Sequence, residues 1–223
     1  MRFINKKRQD NDNDMTFDFH FPTSKKALII FTRNPQLGKC KTRLAKTVGD
    51  EAALNIYKHL LIHTASITAN LEADKFVFYS ENIVKDDLWN PDVFKKKLQH
   101  GKDLGERMKQ AFAHLFSLGY EKAIIIGSDL LDLKEDIINE AFQKLNEGDY
   151  VIGPAKDGGY YLLGMTKLNQ DVFKNKHWGT ETVLKDTLEN LQNNNVYMLK
   201  ELNDIDTFED IQDYQELKPY YTT

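Results

Sequence analysis

Lys122-Ala123-Ile124-Ile125-Ile126-Gly127-Ser128-Asp129 sets three isoleucines side by side and then stops on a glycine, a hydroxyl and a carboxylate. β-Branched side chains are stiff at χ1 and pack well on a pleated surface. An apolar run with no polar alternation belongs to a strand covered on both faces, as in parallel sheets. Such a strand ends with Asp129 at the carboxyl edge of the sheet.

Working outward from it, strand and helix signals alternate. Upstream, Ala27–Thr32 is a second buried strand, and Asp50 opens a helical pattern running to about Leu71. There Ala53, Ile56, Tyr57, Leu60, Leu61 and Ile67 keep a 3.6-residue period. Lys75–Ser80 is strand-like, a less regular stretch holds Trp89, Pro91 and Phe94, and a helix spans about Leu104 to Leu118, stopped by Gly119. Downstream, Asp132 with Glu135 reads as a capping box opening a helix. Tyr150–Gly153 and Tyr160–Met165 are strands joined through Asp157-Gly158-Gly159, a helix covers about Glu181 to Asn193, and Val196–Leu199 is strand-like. Thr207 with Asp210 resembles a last capping box before a C-terminal helix. Strands alternating with helices of this length predict βαβ units and a mostly parallel sheet, with ligands at the carboxyl ends of the strands.

The 223 residues are 41% hydrophobic, enough for one large core. Residues 25–223 read as a single domain, and residues 1–24, whose opening MRFINKKRQDNDND is too polar to bury much, as a flexible N-terminal extension; Met15 is an alternative start. The net charge of -4 argues against broad nucleic-acid binding, which needs a basic face. One cysteine, Cys40, excludes a disulfide framework, and apolar runs of roughly five residues fall far short of the ~20 needed for a membrane span. The predicted location is the cytoplasm, where a lone thiol stays reduced. His59 and His63 lie four apart without an HExxH pattern.

The segment after the first strand concentrates Arg33, Lys39, Lys41 and Arg43 within eleven residues, with Pro35 and Gly38 shaping a turn. Guanidinium and ammonium groups at a strand's carboxyl end suit a di- or triphosphate. It is no Walker A loop, because Arg33 stands where the first glycine is required and Cys40 replaces the Ser or Thr. The plainer reading is a solvated basic loop. Asp129 could hold Mg²⁺ or Mn²⁺ against phosphate oxygens, or merely cap a turn. Asp204 and Asp206, on one side of an extended stretch by alternation, form a second acidic spot or cap a helix. Asp157-Gly158-Gly159-Tyr160-Tyr161 allows close ligand approach or is an ordinary turn, and Asp103-Leu104-Gly105-Glu106-Arg107 opens a helix whose N–H groups could face a ligand.

Taken together, Pro35–Leu44, Asp103–Arg107, Ile126–Asp129, Gly153-Pro154-Ala155-Lys156-Asp157-Gly158-Gly159-Tyr160-Tyr161-Leu162-Leu163-Gly164 and Asp204–Asp210 resemble the DUF2064 family of the GT-A, nucleotide-diphospho-sugar transferase superfamily, over about Lys25 to Tyr214. The resemblance implies a three-layer α/β/α fold with a mixed, mainly parallel sheet, and a nucleotide or nucleotide-sugar ligand. It implies that Lys41 and Arg43 meet phosphates, beside Arg33, Gly38 and Lys39, which the reading of the basic segment already makes candidate phosphate-binding residues, and that Gly105 approaches the nucleoside. Asp129 and Asp206 take the metal-side positions, for Mg²⁺ or Mn²⁺, and Asp157 with Gly158, Gly159 and Tyr160 lies by the small-molecule acceptor or sugar. Two positions depart from the family pattern: Asp129-Leu130-Leu131 lacks the usual proline, and Trp178-Gly179-Thr180 replaces Trp-Ser-Thr. Three activities stay open. One is metal-dependent glycosyl transfer, with Asp129 and Asp157 catalytic. The second is nucleotidyl transfer from an NTP to a small phosphorylated substrate, as in guanylyltransferases. The third is nucleotide binding without turnover.

Overall fold

The computed structural model of the chain describes residues 21–222. The expected extension and the alternative start at Met15 therefore lie, up to residue 20, outside the described residues. In chain order the elements are β1 (Lys26–Thr32), α1 (Thr42–Val48), α2 (Asp50–Ala69), β2 (Asp74–Tyr79), β3 (Phe94–Leu98), α3 (Leu104–Ser117), β4 (Lys122–Ile126), α4 (Glu135–Lys144), β5 (Tyr150–Pro154), β6 (Tyr160–Met165), α5 (Val183–Asn190) and β7 (Val196–Met198), with 3₁₀ turns at Asp171–Phe173, Glu209–Ile211 and Lys218–Tyr220.

The strands form one seven-stranded sheet ordered β3-β2-β1-β4-β6-β5-β7. Every neighbouring pair is parallel except those made by β6, which runs against β4 and β5. The isoleucine run of β4 is apolar throughout because both faces are covered. Ile124 and Ile126 join Leu28, Ile30 and Val77 under α2 and α4, where Tyr57, Leu61, Ile138 and Phe142 pack. Ile125 joins Ile29, Phe76, Ile152 and Leu163 under α3, through Met108, Phe112 and Leu115. The architecture is the expected α/β/α sandwich with a mixed, mostly parallel sheet. A third cluster ties α1 and α2 to the C-terminal segment through Leu44, Ile56, Leu60, Ile205, Ile211 and Leu217. No helix among the described residues is long and apolar enough to cross a membrane.

Four local expectations are corrected. The basic segment is not all loop: Thr42 starts α1, so Arg43 sits on a helical first turn and Lys41, at φ 50°, is its N-cap. The irregular stretch contains β3, an edge strand masked in sequence by Lys95-Lys96-Lys97, the kind of charge that edge strands carry to stay unpaired. Asp132 does not cap α4; Lys134 holds that position without a side-chain bond, and Asp132 accepts from the Tyr214 hydroxyl at 2.7 Å. Asp210 does reach back, accepting from the backbone N–H of Thr207 at 2.7 Å and of Asp206 at 3.1 Å, but only a single 3₁₀ turn follows.

Candidate active site

Strand register delivers the separate motifs to one edge of the sheet. β1 pairs with β4 so that Ile30 lies opposite Ile126, and the chain leaves both strands at the same level. The antiparallel β6 brings Leu162 opposite Ile126, so the Asp157-Gly158-Gly159 turn reaches that same edge. Leu202 bridges Ala155, and Ile205 donates its N–H to the Asp129 carbonyl at 3.0 Å, which fixes Asp204 and Asp206 beside Asp129.

Four side chains distant in sequence meet here. Lys41 Nζ lies 2.9 Å from Asp129 Oδ2, and Arg43 Nη1 lies 2.9 Å from Asp206 Oδ2. The Lys41 side chain is only 7% exposed, whereas Arg43 stands in solvent. Burial works against the Lys41 ammonium, but the charges of Asp129 and Asp206 outweigh it and its pKa is raised. Asp204 is held differently: burial, then the negative charges of Asp129 and Asp157, push its carboxyl up to about 6 despite Lys41. The other two cations do not converge on the acids. Lys39 leans 3.7 Å from Glu81, and Arg33 is exposed. Gly38, at φ +72°, makes the turn that lies between them.

A cleft of about 250 Å³ opens behind these acids. Asp129, Asp157 and Asp204 stand in its wall with Gly159 and Tyr160, while Asp206 does not: its carboxylate is turned to Arg43. Asp157 Oδ1 accepts from the Gly159 N–H at 2.8 Å. Gly158 could not be another residue, because its φ is +85° and an added Cβ would stand 2.2 Å from the Glu181 carbonyl oxygen. Leu184 also donates its N–H to the Gly158 carbonyl at 2.9 Å. At the other end of the cleft, Gly105 has no room for a side chain, since a Cβ would lie 2.4 Å from Cζ2 of Trp178. The segment from Trp178 to Leu184 thus spans the cleft from the start of α3 to the glycine turn, and the sequence predicted no role for Trp178.

Tyr57 is the second residue that sequence reading missed. Its buried hydroxyl accepts from the Arg33 N–H at 2.9 Å and lies 3.3 Å from Thr32 Oγ1 and 3.4 Å from Ser128 Oγ. One side chain of α2 therefore ties the start of the basic segment to the turn that carries Asp129. Nothing in the sequence separates it from the other core residues of the helical pattern. Burial in this setting raises the Tyr57 pKa, so it remains a neutral hydroxyl.

Among the described residues, no three His, Cys, Asp or Glu side chains gather closely enough to hold a metal ion on their own. Asp129 and Asp204 nevertheless suit a hard divalent cation. Mg²⁺ commonly takes one or two carboxylates and completes its shell with water and phosphate oxygens. Burial first, and then the charges of Asp129 and Asp157, raise the Asp204 carboxyl, and a bound cation would favour its charged form.

The model of the family described as "Uncharacterized protein conserved in bacteria (DUF2064)" matches residues 63–180. A solved structure from Desulfovibrio desulfuricans, provisionally named a nucleotide-diphospho-sugar transferase, is 32% identical over 86% of this chain and 90% of its own, with a TM-score of 0.79. A cytidylyltransferase from Leptospira borgpetersenii shares the fold at 14% identity and TM-score 0.59, over 90% of this chain and 89% of its own. A 4-diphosphocytidyl-2C-methyl-D-erythritol synthase from Anaerococcus prevotii does so at 11% identity and TM-score 0.55, over 84% and 93%. No curated protein matches.

Proposed function

Because the chain belongs to the DUF2064 family and is a transferase of glycosyl or nucleotidyl type, we propose that it is a divalent-metal-dependent glycosyltransferase acting on a nucleotide-diphospho-sugar in the cytoplasm. The observation that carries this reading is the pairing of two cations, Lys41 and Arg43, with Asp129 and Asp206 at the rim of a cleft walled by Asp129, Asp157 and Asp204. Two converging cations suit a diphosphate leaving group.

Asp129 and Asp204, with Asp206 at the rim, would hold Mg²⁺ or Mn²⁺, which offsets charge on the departing diphosphate. Lys41 and Arg43 donate to its oxygens in the same role; losing one such preorganised contact commonly costs about 3 kcal/mol in the transition state. Gly105 lets the Trp178 indole lie against the start of α3, so a nucleoside at this end of the cleft would meet the indole rather than bare backbone. The acceptor hydroxyl oxygen forms a bond to the anomeric carbon as the bond from that carbon to the diphosphate breaks, its electron pair leaving with the diphosphate. Asp157 takes the hydroxyl proton: Oδ1 is occupied by Gly159, and Oδ2 is left for the acceptor. The test is transfer from UDP- or GDP-sugars by wild type and Asp129→Ala. Full, EDTA-resistant activity in the variant would show that the metal role is wrong.

A second reading rests on Arg33 and Lys39, which remain exposed on the same segment and could reach a third phosphate. In that case NTPs would raise the melting temperature more than nucleotide-sugars do, and pyrophosphate would be released.

A further inference from the structure

The Asp129 carboxylate already has a cation of its own. Oδ1 is turned back onto Gly127, where a Cβ would stand 2.8 Å from it, and Oδ2 accepts from Lys41 Nζ at 2.9 Å. The Lys41 ammonium is held in that place. Its side chain is buried, and its backbone is fixed by the left-handed N-cap at φ 50° and by the Ala45 N–H, which donates to the Lys41 carbonyl at 2.8 Å. Cys40, just before it, is anchored through Sγ to the Asn34 carbonyl at 3.2 Å. The charges of Asp206 and Asp204 also reach Lys41. Asp206 already accepts from Arg43, however, and Asp204 is itself a cation ligand in the reading above.

A divalent cation bonded to Asp129 therefore meets the ammonium at the same carboxylate, and two positive charges a few ångströms apart in a desolvated place repel strongly. If the cation takes the oxygen, Lys41 is left buried without its partner, which is strongly unfavourable. A phosphate group arriving with the cation supplies the missing acceptor. Resting on the metal-dependent reading above, we infer that Lys41 competes with the divalent cation for Asp129, so that the site resists a bare cation until a phosphate draws the ammonium away. Lys41 thus has two opposed effects: it binds the diphosphate, and it weakens the metal. Removing it should tighten the cation.

Mn²⁺ binding is measured by electron paramagnetic resonance, with no nucleotide added, on wild type, Lys41→Met, Lys41→Gln and Lys156→Met. Both Lys41 variants strip the ammonium from Asp129, and the glutamine serves if circular dichroism shows that the methionine prevents folding. Lys156, the exposed neighbour of Asp157, controls for the loss of a nearby positive charge. The Lys41 variants should bind Mn²⁺ about tenfold more tightly than wild type, and Lys156→Met should stay within threefold of it. A gain below threefold in the Lys41 variants overturns the inference, as does an equal gain in Lys156→Met or Mn²⁺ binding by none of the four proteins. Transfer from UDP- or GDP-sugars judges the glycosyltransferase reading separately. A tenfold gain without transfer ends that reading and leaves the competition standing, whereas equal affinities with EDTA-sensitive transfer do the reverse.

Discussion

Replacing Asp129 by asparagine should destabilise the protein and, paired with a change at Lys41, reveal how strongly the two charges are coupled. In the native fold the Lys41 ammonium sits 2.9 Å from Asp129 with its side chain 7% exposed, while Asp129 is 35% exposed. Breaking a fully buried ion pair costs about 3–5 kcal/mol because one charge is stranded. Here Asp129 is one-third open to water and Asp206 still supports the ammonium, so Asp129→Asn should cost about 2 kcal/mol. That corresponds to a fall of roughly 4–8 °C in Tm for a chain of this size. Lys41→Met strands the more exposed partner and should cost about 1 kcal/mol. The double variant strands neither charge, and should be about 1–2 kcal/mol more stable than the sum of the singles. Urea unfolding followed by circular dichroism, at constant m-value, measures all four corners of the cycle. Additivity within about 0.5 kcal/mol would refute the coupling, and with it the view that the basic segment and the Asp129 turn form one electrostatic unit.

Three further outcomes are expected. Tyr57→Phe removes the hydroxyl that bridges Arg33 and Ser128, leaving the half-buried Arg33 N–H contact unmade; it should cost about 1 kcal/mol in urea unfolding and weaken nucleotide binding by calorimetry, and unchanged affinity would limit Tyr57 to packing. Gly158→Ala drives a Cβ into the Glu181 backbone at a positive φ and should lower Tm by at least 4 °C while shifting the Trp178 indole peak of a ¹H–¹⁵N spectrum; a wild-type spectrum would mean that the turn and the Trp178 segment are not in contact. Asp74 is buried; burial opposes its charge, but bonds from Thr23 and Tyr120 and the nearby Lys95 prevail and hold its pKa at about 2 instead of 3.8. A depressed folded-state pKa contributes stability that is present above pH 4 and lost as pH falls towards 2. Asp74→Asn should therefore flatten the acid limb of the stability profile by about 2 kcal/mol, and an unchanged limb would remove Asp74 from the account.

Much of the fold was legible because its signals are local. The isoleucines of β4 state by themselves that both faces of a strand are covered, and the period from Ala53 to Leu61 states which side of α2 is buried. Other elements were hidden where local chemistry and context disagree. Phe94-Lys95-Lys96-Lys97-Leu98 looks like solvent-facing chain, yet it pairs with β2 as a strand, with Lys96 bonding the carbonyls of Val84 and Lys85 and Lys95 lying over the Phe76 ring. Asp210 accepts from both the N–H and the hydroxyl of Thr207 without a helix following, since a cap favours helix initiation but cannot supply the packing needed to extend it.

The candidate site divides in the same way. The residues of the basic segment, of the Ser128-Asp129 strand end and of the double-glycine turn are chemically unusual enough to be noticed one at a time. Which charge meets which is another matter. That Lys41 is buried against Asp129 while Arg43 faces solvent beside Asp206, that Asp204 and not Asp206 lines the cleft, and that Tyr57 and Trp178 join the site depends on strand register and on close backbone contacts between segments far apart in the chain. Residue type and spacing determine which elements form and where carboxylates and cations can collect. Only the packed sheet decides their distances and desolvation, because both depend on neighbours that the linear order does not contain.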